Sequence, residues 1–236
     1  MPTERGFVDL HVHTSASFDS LASPASVVRA AASRGLTHLA ITDHDVIDGA
    51  LEATRVAAAE FPGLRIIVGQ EVKTHNGDLI AAFIERPIAS GLPATDAIAE
   101  IRAQGGLVGI PHPFDHFRGS LLVDAEMASI APLVDWVETH NARIMVGNGN
   151  ERAALFAREN GLPGVAVSDA HSVMEIGVAY VALDGDPSTP DGLLAALTSA
   201  ELVTGRATIF VRAVTPVAKL VQRARGHGRG RVPSPR

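Results

Sequence analysis

Short apolar runs that end in a histidine or a carboxylate recur along this chain, and they constrain its fold more than any other feature. His11 and His13 close FVDLHVH, and Asp169 and His171 close VAVSDAH. Asp43 and His44 follow HLAIT, Glu71 follows RIIVGQ, His112 follows LVGIP and Glu138 follows VDWV. Runs of this length read as strands, and the alanine-rich stretches between them carry the 3.6-residue period of helices. Strands are expected at 7–11, 38–41, 65–68, 79–84, 107–110, 134–137, 165–167 and 179–183. Helices are expected from Ser23-Pro24 to Gly35 and over 46–60, 95–104, 124–130, 150–160 and 191–199. Such alternation builds βα units around a mainly parallel sheet. So many units in one domain predict an α/β fold with a closed, distorted barrel rather than an open sheet. In barrels of this kind functional side chains sit at the carboxyl ends of strands, which is where these polar residues fall.

The bulk properties narrow the choice. No linker-like stretch divides the 236 residues, so one barrel domain is expected over 1–218, followed by a basic, disordered tail over 219–236. All 26 acidic residues precede residue 202, whereas Lys219, Arg223, Arg225, Arg229, Arg231 and Arg236 crowd the end. An acidic body argues against broad electrostatic capture of nucleic acid. The chain has no cysteine, which excludes disulfides and thiolate metal sites. It carries no G-x-G-x-x-G or Walker-type loop, which weakens nucleotide-cofactor readings. With no long apolar stretch and no signal-peptide pattern, a cytoplasmic location without membrane contact is expected. The sequence does not define an oligomeric state.

Strand side chains alternate faces, so Asp9, His11 and His13 are expected to share one face and Val8, Leu10 and Val12 the other. The same spacing brings Asp169 and His171 together. Without thiolates, imidazole and carboxylate are the natural ligands for Zn, Mn or Fe. A single H-x-H decides little. Polar clusters at successive strand ends point to a metal centre. Amidohydrolase-type C–N hydrolases also begin with H-x-H, but commonly bridge two metals through a carboxylated lysine. The only lysines here are Lys73 and Lys219, neither at a clear strand-end position, and Glu71 can bridge without modification.

Four ordered motifs, DLHVHTSASFD, AITDHD, IPHPFD and VSDAH, span Val8 to about Val181. Together they resemble the PHP family, named for polymerase and histidinol phosphatase. The resemblance implies a distorted seven-stranded βα barrel, (β/α)7, with two to three divalent ions (Zn, Mn or Fe) at the carboxyl ends of the strands. It implies one metal held by His11, His13, Glu71 and Asp169. A second would share Glu71 and use His112, and a third would take Asp19, His44 and His171. Asp43, Glu138 and Asp9 would orient these ligands. Many relatives carry a histidine on the strand after the glutamate motif, where this chain reads THNGDLIAAFI. Asp78 is the favoured replacement, with His75 and His140 as alternatives.

The implied activity is hydrolysis of a phosphoester by a metal-bridged hydroxide, with Glu71, Asp169, His44 and His171 as the catalytic set. Arg118, three residues after HPFD, and Arg143 are candidate substrate ligands, because the guanidinium fork suits a phosphate. The expected partner is a small phosphorylated substrate, with nucleic acid admitted only as a substrate. The sequence does not choose among histidinol phosphate, nucleotides and oligonucleotides. The competing readings are a metal-binding regulatory barrel without catalysis and the amidohydrolase-type hydrolase.

Overall fold

The computed structural model of the chain describes residues 5–75, 77–115, 127, 129–208 and 214–226. Its nine strands form one sheet in the order β7-β6-β5-β4-β3-β2-β1-β8-β9. The strands are β1 (Arg5–Val12), β2 (His38–Ile41), β3 (Arg65–Lys73), β4 (Asp78–Ala82), β5 (Leu107–Ile110), β6 (Trp136–Asn141), β7 (Gly164–Val167), β8 (Tyr180–Asp184) and β9 (Glu201–Val203). The helices are α1 (Pro24–Ser33), α2 (Asp48–Glu60), α3 (Ala94–Arg102), α4 (Gly149–Glu159), α5 (Pro190–Leu197) and α6 (Val214–Ala224).

The sheet curls into a nearly closed barrel. A parallel bridge between Val12 and Ala170, with His13 N–H donating to the Ala170 carbonyl at 2.9 Å, draws β1 towards the end of β7. A strict seven-fold βα repeat is not what forms. β4 runs antiparallel to both β3 and β5, β8 is antiparallel to β1, and β9 is antiparallel to β8. The β3–β4 connection is too short for a crossover helix, so that pair must be antiparallel.

Local signals set the helix ends. Ser23 caps α1 by accepting from Ser26 N–H at 3.2 Å, Pro24 opens the helix, and Gly35 leaves it at φ +76°. Thr189 caps α5 the same way through Gly192 N–H. Most of the expected helix at 124–130 lies outside the described residues, as do Arg118 and the chain from 227 on. The expected boundary at 218 falls inside α6, so residues 219–224 are helical rather than disordered. Val214, Val217, Leu220 and Val221 give this segment a helical apolar period, yet Val217 and Leu220 are exposed and the side chains the helix buries are Ala218 and Gln222.

Apolar side chains fill the lower barrel. Val8, Leu10, Ala40, Ile67, Ile80, Trp136, Val165 and Val167 pack there, while Val12, Leu39 and Ile41 pack outward against α1 and α2. The interior plug leaves only the carboxyl-end half of the barrel for polar groups.

Candidate metal centre

That half holds one dense polar cluster. His11 comes from β1 and His13 from one residue past its end, Asp19 from the β1–α1 loop, and Asp43 and His44 from the β2–α2 loop. Glu71 comes from β3, His112 from beyond β5, Glu138 and Asn141 from β6, and Asp169 and His171 from beyond β7. All except His44 are buried.

The ligand atoms converge. His11 Nε2 and His13 Nε2 stand 2.9 Å apart, and both lie 3.3–3.4 Å from Glu71 Oε2 and 3.6–3.7 Å from Asp169 Oδ1. Four ligands at 2.0–2.1 Å around one cation would stand about 3.4 Å apart, so this spacing fits a tetrahedral ion. The second oxygen of Glu71, Oε1, faces His112 Nε2 at 3.2 Å. His44 reaches Glu71 Oε2 through Nδ1 and Asp19 Oδ2 through Nε2, each at 3.2 Å. His171 Nε2 lies 3.2 Å from the same Asp19 oxygen. Three groups result that could each hold a cation: His11, His13 and Asp169; His11, Glu71 and His112; and His13, Asp19, His44 and His171.

The surroundings fix which nitrogen points inward. Glu138 Oε1 lies 2.6 Å from His11 Nδ1, so that nitrogen donates outward and Nε2 turns its lone pair to the cluster. The Asp169 carbonyl does the same for His171, 2.9 Å from Nδ1. Glu138 Oε2 also accepts from His112 N–H and from Asn141 Nδ2, and Asn141 donates on to Asp169 Oδ2 at 3.0 Å. Ser17 donates to Asp19 Oδ1 and accepts from His44 N–H, while Glu175 Oε2 accepts from His171 N–H. Asn141, Ser17 and Glu175 were not anticipated. Asn141 and Glu175 lie three and four residues beyond Glu138 and His171, the only signal they gave.

Two ligand positions carry unusual backbone. His112 (φ 27°) and Asp169 (φ 52°) are in the left-handed region, which costs non-glycine residues about 1–3 kcal/mol. The chain accepts that strain where a strand end must turn a side chain into the barrel mouth.

Protonation follows from crowding. Burial alone would strip charge from His11, but Glu138, Asp169 and Glu71 outweigh it and hold its pKa well above the ordinary imidazole range. Burial and the neighbouring His171 push His13 well below it. Burial opposes ionisation of Asp19 and Glu71, yet the histidines around them hold both well below the usual carboxylate range. Burial pushes Asp43 up to about 6 against two bonds from Thr14. It pushes Asp9 up to about 7.

Several expected placements differ. A bulge in the β1–β2 pairing between Asp9 and Val12 breaks the alternation of β1. Asp9 stands in register with Leu39 and accepts from Ser168 N–H and, at 3.4 Å, from the His11 backbone N–H, outside the three ligand groups, while Val8 and Leu10 face the interior and Val12 faces the helices. Asp78 does not join any of the three groups. Register sets Ile80 opposite Glu71 and Asp78 opposite Lys73, two residues or about 7 Å further along the strand. His140 does not join them either, because a bulge between Glu138 and His140 turns it to the Gly205 carbonyl, 2.7 Å away. His75 lies in the same β3–β4 turn and belongs to none of the groups. Arg143 is buried, and its guanidinium donates to the Asp169 carbonyl and Thr215 Oγ1 and lies 3.6 Å from Glu175. It braces the cluster from behind. Arg118 lies outside the described residues.

Among the described residues, the strand ends of this barrel bring together three histidine–carboxylate groups that could hold metal ions. Comparison with known proteins agrees. The model of the PHP domain matches residues 9–133, and that of the PHP-associated region matches 147–202. The chain belongs to the PHP family. It is 35% identical over 147 residues to an uncharacterised protein of Methanocaldococcus jannaschii, covering 57% of this chain and 81% of that one. Its fold is that of a two-domain protein of Bacteroides vulgatus containing a predicted PHP-like metal-dependent phosphoesterase, with TM-score 0.71, 17% identity, and 86% of this chain and 66% of that chain covered. A lesion-specific endonuclease of Pyrococcus furiosus shares it with TM-score 0.63 and 16% identity, over 84% of this chain and 58% of that one.

Proposed function

We propose that the protein is a metal-dependent phosphoesterase acting on a small phosphorylated molecule or the end of a short nucleic acid. The observation that carries this reading is Glu71, whose two carboxylate oxygens face different histidine sets within one buried cluster. A carboxylate placed this way suits neighbouring cations better than an isolated ion pair, since three buried acids without compensating charge are costly.

Divalent ions would supply a water of lowered pKa and neutralise phosphate oxygens. The chain's own residues do the rest. Glu71, Asp169 and the histidines hold the ions, and Glu138 and Asn141 fix the ligands' orientation. Both ring nitrogens of His44 and of His171 lie within 3.2 Å of a carboxylate or carbonyl oxygen, which supports a ligand role for each beside the catalytic role expected of them. Water would add to phosphorus as it gives up one proton, the phosphorus–oxygen bond to the leaving group would break, and the released alkoxide would take up one proton, so that the two transfers balance. A lysine-bridged amidohydrolase is disfavoured, because Glu71 already faces both histidine sets, whereas Lys73 is paired with Asp78 two residues further along the strand.

The test is phosphate release over a panel of phosphomonoesters, nucleotides and short oligonucleotides, with Mn, Zn and Fe compared. Release that chelation abolishes is expected with at least one substrate. A metal-loaded protein that releases phosphate from none of them overturns the reading.

A further inference from the structure

Helix α6 lies beyond both family-matched regions, yet it reaches the cluster from two sides. Gln222 is buried, and its Nε2 donates to the carbonyls of Ser15, Ser17 and Ser20 at 2.8, 3.1 and 2.9 Å. Those three carbonyls belong to the loop that carries Asp19. A carboxamide has two N–H groups, so three acceptors converging on it fold the loop around one side chain. Next to it, the Lys219 ammonium lies 5.3 Å from the centre of the Phe18 ring, and that ring packs 4.8 Å from the His44 imidazole. On the other side, Thr215 accepts from Arg143, which supports the Asp169 carbonyl and faces Glu175, the residue that holds His171 N–H.

The contacts of α6 thus lead to Asp19, His44 and His171, three of the four members of one ligand group. We propose that α6 is a clamp for that group, with Gln222 as the positioning residue that holds Asp19 where a third cation binds. The proposal rests on the metal-centre reading and deepens it: the ions at His11 and Glu71 would be held by residues in strands or within two residues of a strand end, and the ion at Asp19 requires the helix. Without the Gln222 amide, the buried carbonyls of Ser17 and Ser20 and the half-buried one of Ser15 lose this donor, and the loop must rearrange to expose them to water. Asp19 moves with the loop, while His11, His13, Glu71 and Asp169 keep their places.

The experiment is a metal titration of the full chain by calorimetry, with elemental analysis of the loaded protein. The proteins compared are the wild type, Gln222→Ala, Gln222→Met, Asp19→Asn and the double variant Asp19→Asn/Gln222→Ala. Gln222→Met keeps the side-chain volume and removes the donors. Val217→Ser, on the exposed face of α6, is the control. The wild type and Val217→Ser should bind three ions. Asp19→Asn and both Gln222 variants should lose the third ion or bind it at least about tenfold more weakly, with the first two unchanged. The double variant should resemble Asp19→Asn alone. Unaltered third-ion affinity in both Gln222 variants overturns the proposal, as does equal weakening of all ions. A wild type that binds two ions with or without Asp19 removes it too, while leaving the phosphoesterase reading intact. A wild type that binds none removes both.

Discussion

The group around His11 and the group around Asp19 share His13 but are held by different parts of the chain. His11 lies in β1 and His13 one residue past its end, and Glu71 lies inside β3, whose neighbours on both sides are hydrogen-bonded strands. Asp169 is one peptide past the Ser168 amide that Asp9 holds, and Asn141 grips its carboxylate. Asp19 instead sits in a loop fixed by serine hydroxyls and by Gln222, more than two hundred residues away in sequence. His44 stands on a loop as well. A sheet fixes ligands through its backbone ladder, whereas a loop needs side chains from elsewhere. The first group should therefore be rigid and tight, and the second adjustable.

The largest break in this comparison should come from Glu71→Ala or Asp169→Ala. Either variant removes a carboxylate from the rigid group and should lower phosphoester turnover by more than about 10³-fold, since a bound cation contributes several kcal/mol to the transition state. Circular dichroism should show the fold retained, and near-normal rates for both would refute the assigned roles.

A smaller effect is expected one layer out. Glu138→Gln keeps the shape but removes the negative charge facing His11 Nδ1. Metal affinity or activity should fall about 10–100-fold, read by metal titration and initial rates, and unchanged affinity would show that His11 needs no such partner.

Chelation probes both groups together. With metal supplied at about one hundred times its dissociation constant, binding adds about 2.7 kcal/mol to folding stability. Excess chelator should then lower the melting temperature by about 5–10 °C for a chain of this size. A melting temperature that ignores the chelator would mean that ions do not bind the folded state.

The mildest test acts beneath the cluster. Gly49 opens α2 against the Asp43–Thr14 pair, and an added Cβ would collide with Asp43 Oδ2 and Thr14 Oγ1. Gly49→Ala should lower stability by about 1–3 kcal/mol in chemical denaturation, through overpacking of a buried site. A denaturation midpoint equal to that of the wild type would mean that the loop below His13 is loose.

The difference between the two groups also explains what the sequence made legible. Residues that close strands stood out because an apolar run followed by His, Asp or Glu has few structural uses inside a core. That signal located His11, His13, His44, Glu71, His112, Asp169 and His171, all of which the fold brings to one cluster. Alternation failed where the backbone departed from it. The bulge in β1 leaves the Asp9 carboxylate on the His11 backbone N–H rather than beside its imidazole, and the bulge in β6 sends His140 away from Glu138. Asp78 looked adjacent to Glu71 because register is invisible in one sequence; the hairpin sets Ile80 there instead. How helix α6 docks was hidden for a related reason. Val217 and Leu220 are exposed, and the residues that dock are small or polar because they meet loop carbonyls and not a hydrophobic core.

The decisive measurement is anomalous X-ray scattering from crystals of the wild-type protein loaded with zinc. The account predicts ions within about 2.0–2.2 Å of their ligand atoms. One should lie among His11, His13, Glu71 and Asp169, one between Glu71 and His112, and one among Asp19, His44 and His171. Crystals grown with excess metal that show no anomalous peak in any of these groups would contradict it.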